Sequence, residues 1–180
     1  MACLFRLRPR QLHQLAVFLD FLFEEPFEDG DIAMDLFCGT GTIAQLMAKR
    51  NPNVRIIGVD IVEKAISDAK ENALKNQISS AEFYAADVGK FLKEYPEFQG
   101  KIKRIMLDPP RAGIAPKTLQ KVLALGAQSI VYISCNPATQ ARDANTLAMA
   151  GYQLEKYALA DQFPHTGHIE SIAKFVKYES

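Results

Sequence analysis

The stretch DIAMDLFCGTGTIAQLMAKR, residues 31–50, decides the fold. Residues 31–37 are mostly apolar and predict a buried strand, and residues 43–50 predict a helix. Between them, Gly39 and Gly41 allow a tight turn and let the backbone approach a ligand without an intervening Cβ. A strand, a glycine-rich turn and a helix in this order are typical of nucleotide-binding α/β domains, although one Gly-x-Gly alone is also compatible with an ordinary β–α turn.

The same alternation of short apolar β runs and amphipathic helical stretches continues along the chain. Six further strands are predicted, at residues 54–60, 81–87, 102–108, 129–134, 152–161 and 169–178. Apolar strands separated by helices form a parallel sheet with helices on both faces. The last two strands have no helix between them, so we expect one antiparallel strand at one edge. The expected fold is α/β, with a mostly parallel seven-stranded sheet in one domain over residues 1–180 and a helical lead-in over residues 1–30.

The composition is that of a soluble globular protein, with 48% hydrophobic and 23% charged residues in a chain of 180. The formal net charge is zero, which disfavours a domain that grips nucleic acid by itself. Three cysteines without framework spacing argue against a disulfide scaffold and favour a reducing, cytoplasmic location. His165 and His168 lack metal-ligand spacing, and no apolar run approaches the length of a membrane span.

Acidic residues end the second, third and fourth predicted strands, at the edge of the sheet where ligands bind: Asp60, Asp87 and Asp108. Asp60 ends the second strand, where a carboxylate can accept both hydroxyls of a ribose. Asp87 ends the third strand and suits a hydrogen bond to an adenine amino group. Nicotinamide cofactors use a similar ribose contact, but Ala44 stands where a dinucleotide site has its third glycine. Several carboxylates around one cleft favour a cationic, phosphate-free cofactor, which is S-adenosylmethionine.

The stretch LDPPRAG, residues 107–113, predicts a stiff loop after the fourth strand, because two prolines fix φ and remove two N–H groups. Methyltransferases that act on exocyclic amino groups carry a similar Asp/Asn-Pro-Pro-aromatic loop. Arg111 occupies the aromatic position here, which favours a ring carbon of a base as the target. A methyltransferase acting on the nitrogen of a base or a protein amide is the alternative, and an inactive cofactor-binding domain is another.

The stretch VYISCNPATQARD, residues 131–143, places Cys135 at the end of the fifth strand. Carbon 5 of a pyrimidine becomes nucleophilic when a thiolate adds to carbon 6, and a cysteine can also leave again readily. Glu170, in DQFPHTGHIES at residues 161–171, is the candidate base that removes the carbon-5 proton afterwards. Taken alone, a cysteine after a strand is more often a packing residue, and a glutamate that begins a strand is usually on the surface.

Together these stretches resemble the RNA uracil-5-methyltransferases, which use S-adenosylmethionine to make 5-methyluridine in tRNA and ribosomal RNA. The resemblance runs from about Asp31 to Lys177 and depends most on the Ser-Cys-Asn-Pro and Phe-Pro-His-Thr stretches. It implies a class I, Rossmann-like methyltransferase fold with Cys135 as nucleophile and Glu170 as general base. It also implies that Gly39 and Gly41 shape the cofactor loop and that five residues contact the cofactor: Phe37, Thr42, Asp60, Asp87 and Asp108.

The sequence departs from the family pattern at two positions. A family glutamine that contacts the cofactor corresponds to Arg6, and the ribose position, more often Glu in the family, is Asp60. Family members also carry an N-terminal RNA-binding β-barrel to which nothing in this chain corresponds. We therefore expect a catalytic domain whose partners are a uridine in rRNA or tRNA and the rest of a longer polypeptide, with no metal and no membrane.

Overall fold

The computed structural model describes residues 21, 25–160 and 170–178. Three predictions lie outside the described residues. They concern Arg6, most of the helical lead-in before residue 25, and the turn that contains His165 and His168.

Seven strands and five helices alternate along the described chain, in the predicted order. They are β1 (Ile32–Leu36), α1 (Thr42–Arg50), β2 (Arg55–Asp60), α2 (Glu63–Lys75), β3 (Ala81–Ala85), α3 (Val88–Glu94), β4 (Ile102–Leu107), α4 (Pro116–Ala124), β5 (Ser129–Ser134), α5 (Pro137–Met149), β6 (Tyr152–Ala160) and β7 (Glu170–Lys177). A single 3₁₀ turn, Pro96–Phe98, separates α3 from β4. None of the helices in these ranges is long and apolar enough to cross a membrane.

The described strands form one sheet in the order β3-β2-β1-β4-β5-β7-β6. Strands β1 to β5 run parallel, and β7 runs antiparallel to both β5 and β6. The predicted mostly parallel sheet with one antiparallel strand at one side is confirmed. That strand, β7, lies between β5 and the outermost β6. The order reverses between β1 and β4, which is where ligands bind in such sheets.

Helices cover both faces of the sheet, as predicted, and each face has its own apolar core. On one face, α3, α4 and α5 bury Phe91, Val122 and Leu147 against the sheet. On the other, α1 and α2 bury Met47 and Ile66. Central strands must be apolar towards both layers, which explains why β1 and β2 are apolar almost without alternation.

Two buried cations of the sheet are paired with the segment that precedes β1. The guanidinium of Arg104 and the ammonium of Lys174 lie 3.0 and 2.9 Å from the two carboxylate oxygens of Glu25. The Arg104 guanidinium also lies over the ring of Phe27, 4.7 Å from its centroid. Buried charges are tolerated only when they are paired, so this ion cluster ties residues 25–27 to β4 and β7.

Gly41 lies at the closest approach between the glycine turn and the sheet. Its φ is +73°, and an added Cβ would lie 2.8 Å from Cζ of Phe83 and 3.1 Å from Cβ of Ala69. Gly39 has a similar φ of +52°, but a Cβ there would meet no described atom within 4 Å. The two glycines therefore differ in packing and not in backbone conformation.

We expect Gly41→Ala to lower the free energy of unfolding by about 2–4 kcal/mol, because left-handed strain and overpacking of a core add together. The matched control, Gly39→Ala, carries the strain alone and should cost about 1 kcal/mol. Urea unfolding followed by circular dichroism measures both values. Equal losses for the two variants would contradict this account of the turn.

Candidate active site

A cavity of about 340 Å³ opens at the carboxyl ends of the central strands. Four of the predicted cofactor residues line it: Phe37, Asp60, Asp87 and Asp108. Its remaining lining residues are apolar: Ile61, Val62, Val88 and Pro110. Apolar walls with a few convergent polar groups are typical of a small-molecule binding site.

Phe37 turns the chain away from β1 towards β2. Its φ of 66° lies in the left-handed region, which costs a non-glycine residue on the order of 1–3 kcal/mol. The backbone N–H groups of Phe37 and Cys38 both donate to the carbonyl of Val59, at 2.8 and 3.1 Å. The Gly41 N–H then donates to the Cys38 carbonyl at 2.8 Å and closes the turn. The strained residue is therefore one that lines the cavity.

The carboxylate of Asp60 is oriented by two backbone donors. The Gly39 N–H donates to Oδ2 at 2.9 Å, and the Val62 N–H donates to Oδ1 at 2.8 Å. Each oxygen keeps a further acceptor position, so the group can still accept hydrogen bonds from two neighbouring hydroxyls. The predicted ribose contact requires this arrangement.

Asp87 caps a helix as well as lining the cavity. The sequence predicts it at the end of a strand, whereas β3 ends at Ala85 and Asp87 is the N-cap of α3. Its Oδ1 accepts the N–H of Lys90 at 2.9 Å. Aspartate is favoured at this position because its side chain satisfies an otherwise unpaired helix donor, and the capping bond holds the carboxylate at the cavity.

Cys135 and Glu170 lie across from each other between β5 and β7. That antiparallel ladder ends with the pair Ser134 and Ser171, so Cys135 and Glu170 occupy the next opposing positions. The Ser171 hydroxyl donates to the Ser134 carbonyl at 3.1 Å and reinforces this end of the ladder. Both predicted catalytic residues are partly buried. The structure thus brings together two residues that lie 35 positions apart in the sequence.

Asp108 joins the two parts of the site, because it lines the cavity and lies near Glu170. Burial, and after it the negative charge of Glu170, raise the pKa of Asp108 to about 6. Asp108 therefore links Glu170 to the cavity.

Asp35 is a buried site residue that the sequence reasoning missed. Its Oδ2 accepts the Ala44 N–H at 2.9 Å, while Oδ1 is buried without a hydrogen-bond partner in the described part of the protein. Burial first, and then the charges of Asp108 and Asp60, raise the pKa of Asp35 to about 7 against the opposing effect of the hydrogen bond from Ala44. The available signal was an acid inside the otherwise apolar strand IAMDL.

Thr42 is the one predicted cofactor residue that the structure places elsewhere. It is the first residue of α1 and borders a separate depression between α1 and α2, together with Gln45 and Asn76. Its contact with the cofactor stays a prediction.

The family described as tRNA (Uracil-5-)-methyltransferase matches residues 19–177 of this chain. The chain belongs to this family. Two uracil-methyltransferase relatives are clearly similar in sequence. A 23S rRNA (uracil(1939)-C(5))-methyltransferase of Haemophilus influenzae is 43% identical over 145 residues, covering 81% of this chain and 32% of that protein. The Vibrio cholerae enzyme of the same name is 41% identical over 165 residues, covering 92% and 36%.

Solved structures agree with this membership. The tRNA (uracil-54, C5)-methyltransferase of Pyrococcus abyssi, in complex with S-adenosyl-L-homocysteine, matches with a TM-score of 0.72 at 35% identity, covering 90% of this chain and 38% of that one. A precorrin-6y C5,15-methyltransferase of Geobacter metallireducens matches with a TM-score of 0.71 at 17% identity, over 98% and 93% of the two chains. The class I methyltransferase fold is thereby confirmed. This family member spans about a third of the length of the curated relatives it matches.

We expect the stability of this methyltransferase-family chain to depend on pH through Asp35. Between pH 3.8, where the unfolded carboxyl titrates, and about pH 7, the folded protein holds a proton that the unfolded chain has released. The free energy of unfolding therefore falls as the pH rises through this window. The Asp35→Asn side chain does not titrate. From pH 5 to pH 8 the free energy of unfolding of the wild type should therefore fall by roughly 2–3 kcal/mol relative to that of the variant.

Urea unfolding of both proteins at pH 5, 6, 7 and 8 measures this difference. A stability difference that does not change with pH would show that the buried carboxyl titrates normally.

Proposed function

We propose that this chain transfers a methyl group from S-adenosylmethionine to carbon 5 of a uridine in RNA, through a covalent bond between Cys135 and carbon 6. The observation that carries the proposal is the arrangement of Cys135 opposite Glu170, beside the cavity that Asp108 shares with Asp60. Membership of a uracil-5-methyltransferase family supports the same reaction.

The cavity residues fit the proposed methyl donor. Asp35, Asp60 and Asp108 concentrate negative charge around the turn after β1, and the pKa values of Asp35 and Asp108 are both raised by burial and by neighbouring carboxylates. A ligand with a phosphate would meet repulsion there, whereas a sulfonium and an ammonium would be attracted. When bound, S-adenosylmethionine supplies an electrophilic methyl group. Asp60 would hold its ribose, and Asp87 its adenine amino group.

The protein residues supply the covalent and proton-transfer steps. The thiolate of Cys135 adds to carbon 6 of the uracil, and the electron pair of the carbon 5–carbon 6 double bond moves to carbon 5 as an enolate. Carbon 5 then takes the methyl group, whose bond to sulfur breaks so that the neutral thioether S-adenosylhomocysteine would be left. Glu170 removes the remaining proton from carbon 5, the double bond re-forms, and the Cys135 thiolate leaves. A target base must be swung out of its stack to reach this position.

We expect further domains of a longer protein to supply most of the affinity for RNA. The formal net charge is zero, and the matched relatives are about three times as long as the region they share with this chain. The proposed partners are a uridine in ribosomal or transfer RNA and further domains of a longer protein. A cytoplasmic location fits an RNA substrate and a reduced nucleophilic thiol.

The Cys135→Ala variant should lose methyl transfer by at least roughly 1,000-fold, because no other group can activate carbon 5. Its affinity for S-adenosylmethionine should stay within about twofold of the wild type, as the thiol lies outside the cavity that binds the adenosyl part. Transfer of a labelled methyl group to RNA and calorimetric titration measure the two effects.

The matched control for that variant is Cys38→Ala. The Cys38 side chain faces Gly58 on β2, so this variant should keep turnover within about threefold. Unimpaired turnover in Cys135→Ala would refute the covalent mechanism, and methyl groups found on nitrogen would favour an N-methyltransferase. Binding of the methyl donor without turnover in the wild type would favour a cofactor-binding domain that is inactive alone.

The Glu170→Gln variant should accumulate a covalent protein–RNA adduct that already carries the new methyl group, because the carbon-5 proton has no base to accept it. Denaturing electrophoresis and mass spectrometry detect such an adduct. The double variant Cys135→Ala/Glu170→Gln should form none. If Glu170→Gln turns over without any adduct, Glu170 is not the base.

A further inference from the structure

The loop after Pro110 is held against helix α5 by side chains near the start of that helix. We call these four side chains the α5 clamp: Asn136, Thr139, Arg142 and Asp143. Asn136 Nδ2 and Thr139 Oγ1 donate to the carbonyl of Arg111 at 3.1 and 3.3 Å. Nη2 of Arg142 donates to the carbonyls of Ala112 and Ile114, each at 3.3 Å. The clamp therefore binds the backbone of the loop, and these four hydrogen bonds do not involve the loop side chains.

Asp143 is the buried centre of the clamp, with 2% of its surface exposed. Its Oδ2 accepts the N–H of Ile114 at 3.0 Å and the hydroxyl of Tyr132 at 2.7 Å. Its Oδ1 accepts Nε of Arg142 at 2.9 Å. One carboxylate thus joins the loop after β4, strand β5 and helix α5.

The contact between loop and clamp is a close one. Gly113 has a φ of +75°, and an added Cβ would lie 2.9 Å from Oδ2 of Asp143 and 3.1 Å from Cβ of Thr139. The loop backbone therefore packs directly on the clamp, which leaves little freedom for the two segments to move apart.

The two clamped segments carry different parts of the proposed site. Asp108 and Pro110, at the start of the loop, line the cavity, whereas Cys135 immediately precedes the clamp residue Asn136. The packing of the loop against α5 therefore sets the distance between the cavity and the thiol of Cys135. Reactions between positioned groups are sensitive to such distances, and a displacement of about 1 Å can cost roughly 100-fold in rate.

We propose that Asp143 is a positioning residue, which fixes the Asp108–Pro110 loop relative to Cys135 so that a base between them reaches the thiol and the methyl donor together. This inference rests on the proposed function. A buried carboxylate stabilises a fold no better than well-packed apolar groups of similar volume. It does, however, fix the directions of three donors from three segments, which is what positioning requires.

The test compares Asp143→Asn with Tyr132→Phe. The first keeps the volume of the side chain but leaves only one acceptor oxygen. One orientation of the amide turns its NH2 towards the donors of Ile114 and Tyr132, and the other turns it towards Arg142, so either way a contact that holds the loop is weakened. The second removes one buried hydrogen bond of the same carboxylate and leaves the bond to Ile114 in place. Both variants should unfold at a lower urea concentration than the wild type. Only Asp143→Asn should also lower kcat, by about 10- to 100-fold, with the Kd for S-adenosylmethionine within about twofold of the wild type.

Hydrogen exchange gives a second measurement that a general loss of stability does not reproduce. Without urea, at a temperature where both variants are folded, the Ile114 amide should exchange faster in Asp143→Asn than in the wild type and keep its protection in Tyr132→Phe. A folded Asp143→Asn variant with kcat within threefold of the wild type overturns the inference. An equal loss of kcat in Tyr132→Phe overturns it as well, since the effect would then follow stability alone.

If Asp143→Asn does not fold, the Thr139→Val variant is measured instead. This near-isosteric change removes the partly buried hydroxyl that the carbonyls of Arg111 and Asn136 share as a donor, at 3.3 and 2.9 Å. It should lower kcat by about 3- to 10-fold at unchanged KM, and an unchanged kcat overturns the inference. A wild-type protein that transfers no methyl group would overturn the proposed function, and this inference with it. An active wild type with an equally active clamp variant overturns the inference alone.

Discussion

The hydrogen bond from the Gly39 N–H to the carboxylate of Asp60 is the interaction on which the geometry of the site depends. It joins the turn after β1 to the end of β2, and the Val62 N–H on the same carboxylate extends this link to the start of α2. Phe37 reaches the turn only by adopting a left-handed conformation, which the two bonds to the Val59 carbonyl stabilise. One carboxylate therefore shapes the cavity wall and at the same time presents acceptors to the cavity.

Concentrated negative charge is the second property of this region. Asp35, Asp60 and Asp108 lie on or directly after three adjacent strands of the sheet. Burial raises the pKa values of Asp35 and Asp108, and neighbouring carboxylates add to the rise: Asp108 and Asp60 for Asp35, and Glu170 for Asp108. A folded protein keeps such an arrangement at a cost in stability, as many ligand sites do. A bound cation offsets that cost, which gives a physical reason for a methyl donor with a positive charge at this position.

The alternation of apolar strands and helices was sufficient to predict the elements and their order. Strand β5 has the predicted bounds, and the others differ by one or two residues at their ends. Asp87 shows how such differences arise, since a local preference for capping a helix outweighed the continuation of the strand. The position of β7 between β5 and β6 depends on how strands pair across the sheet, which local periodicity does not encode.

The sequence alone determined the fold class, the glycine turn, the acidic strand ends and the identity of Cys135 and Glu170 as candidates, because each depends on residue type and local pattern. Only the tertiary structure decided that Cys135 and Glu170 occupy opposing positions at the end of the β5–β7 ladder, because the register of these strands sets which residues come together. The same is true of the burial of Asp35 and of the α5 clamp, whose donors and acceptors come from segments 29 residues apart. Contacts of this kind exist only when the sheet brings distant parts of the chain to one edge.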